Sequence, residues 1–188
     1  MDGDHNEDKS MSRIPKNVPN LLPILGVTAA LSPLAVSDLA RSAEGPHSTI
    51  VFVCEHGSSK SLVAAELFNR AAQQRGIPAR AISRAVSEKT VEAAVPPRLV
   101  RSLSGDGFDD ASFRPQPLTT GEAKNASHVV VINYDADVDA AGGRPLEHWT
   151  IAHPVTLEYD GAKAELSSRI DALMERLTAK AERGDGLR

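Results

Sequence analysis

A run of β-branched and aromatic residues, Thr49-Ile-Val-Phe-Val-Cys54, stops at the small-residue loop Glu55-His-Gly-Ser-Ser-Lys60, and a helical pattern follows at once. The order strand, tight loop, helix constrains this chain more than any other feature. It joins a buried strand to a helix that must pack back onto it. Leu62, Val63, Ala65, Leu67, Phe68 and Ala72 give the segment Ser61 to Arg75 a broad apolar face, and Gly76 stands where a C-terminal cap belongs. The alternation continues. Ala79 to Val86 reads as a weaker second strand, and Pro96-Pro97 opens a short helix through Leu103. Thr119-Thr-Gly-Glu122 is a capping-box pattern for another short helix. His128 to Asn133 is the clearest strand, and His148 to Ala152 is a fourth short one. Leu166, Ile170, Leu173, Met174 and Leu177 recur at helical spacing in a long final helix. Strands alternating with helices predict an α/β fold, a parallel sheet covered on both faces.

In such sheets ligands bind at the carboxyl ends of the strands. Cys54, the only cysteine, stands at the carboxyl end of the first strand. Residues 55–60 direct backbone N–H groups and a helix N-terminus toward one point, a general recipe for an anion site. A helix N-terminus also favours the thiolate form of a cysteine beside it. The nucleotide-binding lysine loop needs Gly, four residues, then Gly-Lys-Ser/Thr. Here Cys54 replaces the first glycine and Ser59 the second, so that motif fails at two of its four fixed places.

What remains is Cys54, five residues, then a cation and a hydroxyl, Lys60 and Ser61. With the flanking segments, this resembles the low-molecular-weight protein-tyrosine phosphatase family and the arsenate reductases that share its fold. "STIVFVCEHGSSKSLVAAELFNRAA" is similar to the family's first strand, phosphate loop and first helix. "VPPRLVRSLSGDGFDDASFRPQPLT" resembles its middle segment, "ASHVVVIN" its third strand, and "LEHWTIAHPV" the segment that carries its general acid. The resemblance covers about residues 49–180. It implies a three-layer sandwich with a four-stranded parallel sheet in the order 2-1-3-4 and helices on both faces. It implies a substrate that is a phosphate monoester or related oxyanion, held by the loop Glu55, His56, Gly57, Ser58, Ser59, Lys60 and Ser61. Cys54 would attack phosphorus and form a thiophosphate. The Ser61 hydroxyl would hydrogen-bond the thiolate. A general acid would protonate the leaving oxygen and then activate water. Such chemistry requires no metal and no cofactor.

Three positions depart from the family's pattern. Lys60 stands where the family usually has arginine; it keeps the charge and loses the planar fork. Gly57 stands where asparagine is frequent. His153 stands before Pro154 where the family has the aspartate acid, and histidine can exchange protons near neutral pH. The expected activity is therefore cysteine-dependent phosphoester hydrolysis with Cys54, Lys60 and His153 as catalytic residues. The alternatives are a catalytically weakened oxyanion-binding module and an arsenate reductase drawing on an external thiol. Zinc would need Cys54, His56, His148 and His153 to converge. The stretch Asp135 to Gly143 imitates a calcium loop, but Ala140 replaces its glycine and Leu146 its closing glutamate, so it reads as a polar loop. Trp149 reads as a half-buried packing residue.

Residues 1–47 stand apart from this pattern and from the domain expected over 48–188. Read from Met11, they have a basic start, a short apolar stretch at Leu21-Leu-Pro-Ile-Leu, and small residues at Ala35 and Ser37. That layout fits either an export signal, which would place the protein outside the cytoplasm, or a surface-docked arm. The stretch is too short and too interrupted by prolines to span a bilayer. The net charge of −4 offers no broad basic surface for nucleic acid.

Overall fold

The computed structural model describes residues 48–135 and 146–183. The signal-like or arm-like segment 1–47, and residues 136–143 of the polar loop, lie outside the described residues. The elements are β1 (Ser48–Cys54), α1 (Lys60–Arg75), β2 (Ala79–Ala85), α2 (Pro97–Gly105), α3 (Thr120–Asn125), β3 (His128–Ile132), β4 (Leu146–Trp149) and α4 (Tyr159–Glu182). The four strands form one sheet in the order β2-β1-β3-β4. All three pairings are parallel, so the expected α/β architecture is observed. β1 lies inside the sheet, and Val51, Phe52 and Val53 are completely buried.

Alternation along β1 divides the core. Ile50, Phe52 and Cys54 face a large cluster built with Leu62, Val63 and Phe68 of α1, Leu99 and Leu103 of α2, and Leu166, Ile170 and Leu173 of α4. Val51 and Val53 face a smaller cluster with Val129, Val131 and Ala126, on the side of α3. Burial of such side chains contributes about 1.5–3 kcal/mol each, which is what holds the layers together. Local signals end the helices as their sequences predict. Gly76 takes φ 63°. Its N–H bonds Gln73 O at 3.2 Å while Ile77 N bonds Ala72 O at 2.9 Å, a Schellman closure. Thr119 and Glu122 form the reciprocal capping box of α3.

Two expectations are corrected. The fourth strand is Leu146–Trp149 rather than His148 to Ala152. Its last pairing is Ile132 with Trp149, because β3 ends there and Asn133 turns to φ 52°. Beyond that point Ile151 N is taken by the Asn133 side chain at 3.0 Å instead of by a strand. Trp149 is buried rather than half-buried, at 4% exposure, with its ring centroid 5.5 Å from that of Phe52.

Candidate active site

The loop between β1 and α1 is shaped first by Gly57. Its φ is 69°, and a Cβ built there would stand 2.6 Å from Ala85 N on β2. Only glycine accepts both that backbone region and that approach. A hydrogen-bonded wall then supports the loop from behind. Glu92 N donates to His56 O at 3.2 Å, and the buried Ser58 hydroxyl donates to the Glu92 carboxylate. His56 Nδ1 lies 2.9 Å from Thr90 O. A carbonyl only accepts, so Nδ1 carries the hydrogen.

Cys54 Sγ lies 2.9 Å from Ser61 Oγ. Ser61 Oγ lies 2.8 Å from Ser83 Oγ, which is 3.0 Å from Gly57 O. Each hydroxyl has one hydrogen, and Gly57 O can only accept. With a thiol at Cys54, three hydrogens fill three gaps, running from sulfur to Gly57 O. With a thiolate, the Ser61 hydroxyl turns to donate to sulfur, the arrangement a nucleophile needs.

α1 begins without protection. Ser59 stands at its N-cap and makes no side-chain capping bond, and no acidic residue occupies the first turn. The positive end of a 16-residue helix is thus left open toward the loop. A cleft of about 160 Å³ lies there, lined by Cys54, Glu55, His56, Ser59 and Lys60 from the loop and by Ile132 and Asn133 from the end of β3. Larger grooves of about 460 Å³ and 350 Å³ lie elsewhere on the surface and do not include Cys54. The cysteine chemistry selects the smaller cleft.

Lys60 crosses its wall. Nζ donates to Asn133 Oδ1 at 2.8 Å and to Ile151 O at 2.9 Å, which leaves one of its three hydrogens for a ligand. Burial lowers its pKa below the ordinary 10.5, and the charges of Cys54 and Glu165 oppose that shift. His153 is not among the residues lining the cleft. Its Nδ1 is bonded to the Glu165 carboxylate, and its Nε2 lies 3.9 Å from Glu158 Oε2. It follows Ile151, the residue that receives Lys60, by two positions. The zinc alternative has no geometric support. No group of three or more His, Cys, Asp or Glu among the described residues is arranged to hold a metal ion, so Cys54, His56, His148 and His153 do not converge.

The loop is therefore legible in the sequence, and its supports are not. Ser83, Glu92 and Glu165 arrive from β2, a connecting segment and α4. Asn133 had a signal, a polar residue at the carboxyl end of an apolar strand. Ser83 pairs with Phe52 across the β1–β2 ladder, a register that nothing in the local sequence specifies.

The family model described as low molecular weight phosphotyrosine protein phosphatase matches residues 49–183. Among curated proteins none matches the chain. Among solved structures, a mutant of YwlE from Bacillus subtilis is similar with a TM-score of 0.59 and 19% identity, over 70% of this chain and 99% of that one. A thioredoxin-dependent arsenate reductase from Corynebacterium glutamicum is similar at 0.56 and 17%, over 73% of this chain and 65% of that one. A low molecular weight protein tyrosine phosphatase from T. tengcongensis is similar at 0.52 and 22%, over 69% of this chain and 99% of that one. At these identities the structures speak for the fold, while the family match runs from β1 through the final helix. The chain belongs to the low molecular weight phosphotyrosine protein phosphatase family.

Proposed function

We propose that residues 48–188 form a cysteine-dependent phosphatase that hydrolyses phosphate monoesters through a thiophosphate on Cys54. The observation that carries this reading is the Cys54 sulfur, 2.9 Å from the Ser61 hydroxyl, in a cleft at the uncapped N-terminus of α1. Amides of residues 55–60 and the free hydrogen of Lys60 bind the phosphoryl oxygens. Their positive field stabilises the charge that the transition state concentrates there. Ser61 donates to the thiolate, and Ser83 holds Ser61. The thiolate attacks phosphorus as the bond to the ester oxygen breaks, and His153 supplies the proton. Water then releases phosphate.

The test is hydrolysis of an aryl phosphate by the full chain and by Cys54→Ser. Turnover that falls by at least about 10⁴-fold in the variant supports the reading. Calorimetric binding of phosphate or vanadate without turnover would instead assign a binding module. Arsenate fits the same cradle, and the single cysteine gives a specific form to that second reading. An external thiol would have to attack the sulfur of a Cys54–arsenate adduct, releasing arsenite and leaving a mixed disulfide for a second thiol to reduce. Thiol-dependent arsenite production would decide for it.

A further inference from the structure

We propose that Glu165 is the positioning residue of the proton-transfer step: it holds His153 by Nδ1 and leaves Nε2 as the nitrogen that serves the leaving oxygen. The inference rests on the phosphatase reading and adds to it a residue of α4 that no sequence motif marks. Two contacts carry it. Glu165 pairs with His153 Nδ1 through one carboxylate oxygen. With the other it accepts the backbone N–H of Ala152 at 2.8 Å. Ring and backbone of the same short segment are thus held by one side chain. Gly161, one turn earlier on α4, makes room for this. A Cβ there would stand 2.7 Å from His153 Cδ2, so only glycine lets the ring lie on the helix.

The segment so fixed is tied to the cleft. Ile151 O receives Lys60 Nζ at 2.9 Å, Ile151 N bonds Asn133 Oδ1 at 3.0 Å, and both Lys60 and Asn133 line the cleft. Glu165 is the anion on the Nδ1 side of the ring. Its own carboxyl is held below the usual range, first by the Ala152 N–H and then, against some desolvation, by the hydrogen bond from His153 and that residue's charge. It therefore acts as an acceptor and does not compete as the acid. Nε2 makes no hydrogen bond; its charged neighbour, Glu158, is 3.9 Å away.

Nε2–H gives its proton to the ester oxygen while the P–O bond breaks and the S–P bond forms, and the alcohol leaves neutral. Neutral Nε2 then takes a proton from water as the water oxygen bonds phosphorus and the S–P bond breaks. Thiolate, imidazolium and phosphate result, and Nδ1–H stays on Glu165 throughout.

The experiment compares two esters, phenyl phosphate, whose leaving group needs a proton, and 2,4-dinitrophenyl phosphate, whose leaving group does not. Wild type, Cys54→Ser, His153→Ala, Glu165→Gln, Glu165→Asp and the His153→Ala/Glu165→Gln double variant are assayed, with circular dichroism to confirm folding. Glu165→Gln should lower kcat/KM, which reports the steps through departure of the alcohol, on phenyl phosphate by about 10–100-fold and on the dinitrophenyl ester by less than about threefold. His153→Ala should show the same pattern more strongly. The double variant should be no slower than His153→Ala alone, and Glu165→Asp should recover part of the loss. Equal losses on both esters, multiplying losses in the double variant, or an unimpaired Glu165→Gln would overturn the proposal and leave the phosphatase reading standing. If wild type shows no Cys54-dependent turnover of either ester, both fail together.

Discussion

Gly57 and Lys60 show how single residues decide what this loop can do. No side chain has room at position 57, where a Cβ would meet the backbone of Ala85. The loop is instead tied down by Ser83 on Gly57 O and by Glu92 on Ser58. Gly57→Ala should therefore cost at least about 2 kcal/mol from the positive φ and the close approach. Urea unfolding will show the lower midpoint, and vanadate binding should weaken with it. Lys60 carries a second consequence. Burial depresses its pKa from 10.5, so it loses its charge at a lower pH than an ordinary lysine as pH rises. Phosphate affinity should decline on the alkaline side before pH 10.5, whereas Lys60→Arg should stay flat through that range, because guanidinium does not deprotonate there. Calorimetric titration at pH 7, 9 and 10 measures the difference; parallel declines in both proteins would count against Lys60 as the anion's partner.

At the scale of elements, the segment after α2 is locked to the first and last helices by charge. Asp106 accepts from Lys163 and from the Tyr159 hydroxyl of α4, and the Arg70 guanidinium of α1 lies 3.6 Å over the Phe108 ring. The same contact places two acids unfavourably. Asp110 is buried, with Oδ2 unpartnered. Burial and then the charge of Asp109 push its pKa above 3.8. Burial and then Asp110 likewise raise Glu66 on α1. A carboxyl whose folded pKa is raised stabilises below its unfolded pKa and loses that contribution as pH rises through the folded value. Asp110→Asn should thus be more stable than wild type by about 1 kcal/mol at pH 7 and gain nothing at pH 3.5. Thermal unfolding at the two pH values decides it.

Across the whole molecule, one central strand organises both the core and the site. Phe52 on β1 packs against Phe68 at 6.0 Å and Trp149 at 5.5 Å between ring centroids, joining α1, β1 and β4. Two residues further on, the same strand ends at Cys54. Phe52→Ala should lose about 4 kcal/mol, near the middle of the range for a buried phenylalanine, with an unchanged urea slope. A loss below about 1 kcal/mol would mean that the core beneath α1, α2 and α4 does not depend on this side chain. The rest of the sheet places the remaining parts at the carboxyl edge: Ile132 and Asn133 at the end of β3 in the cleft itself, and Ile151 after β4 with its carbonyl on Lys60.

What the sequence determined by itself was local. Alternating period-2 and period-3.6 patterns name the strands and helices, because burial of one face imposes them. The capping box at Thr119 and the glycine at 76 set helix ends, since a helix end must satisfy its own backbone groups. Cys54 with its following loop points to an anion site for the same reason. The fourth strand ends three residues before the expected Ala152 because its end depends on Asn133, the residue after β3. Only tertiary structure decided that Lys60 reaches Asn133 and Ile151, that Ser83 relays to Ser61, that Glu92 supports the loop, and that Glu165 holds His153. Those contacts join residues from 12 to 91 positions apart. No spacing in the chain encodes them; the parallel crossovers of the sheet bring them to one edge.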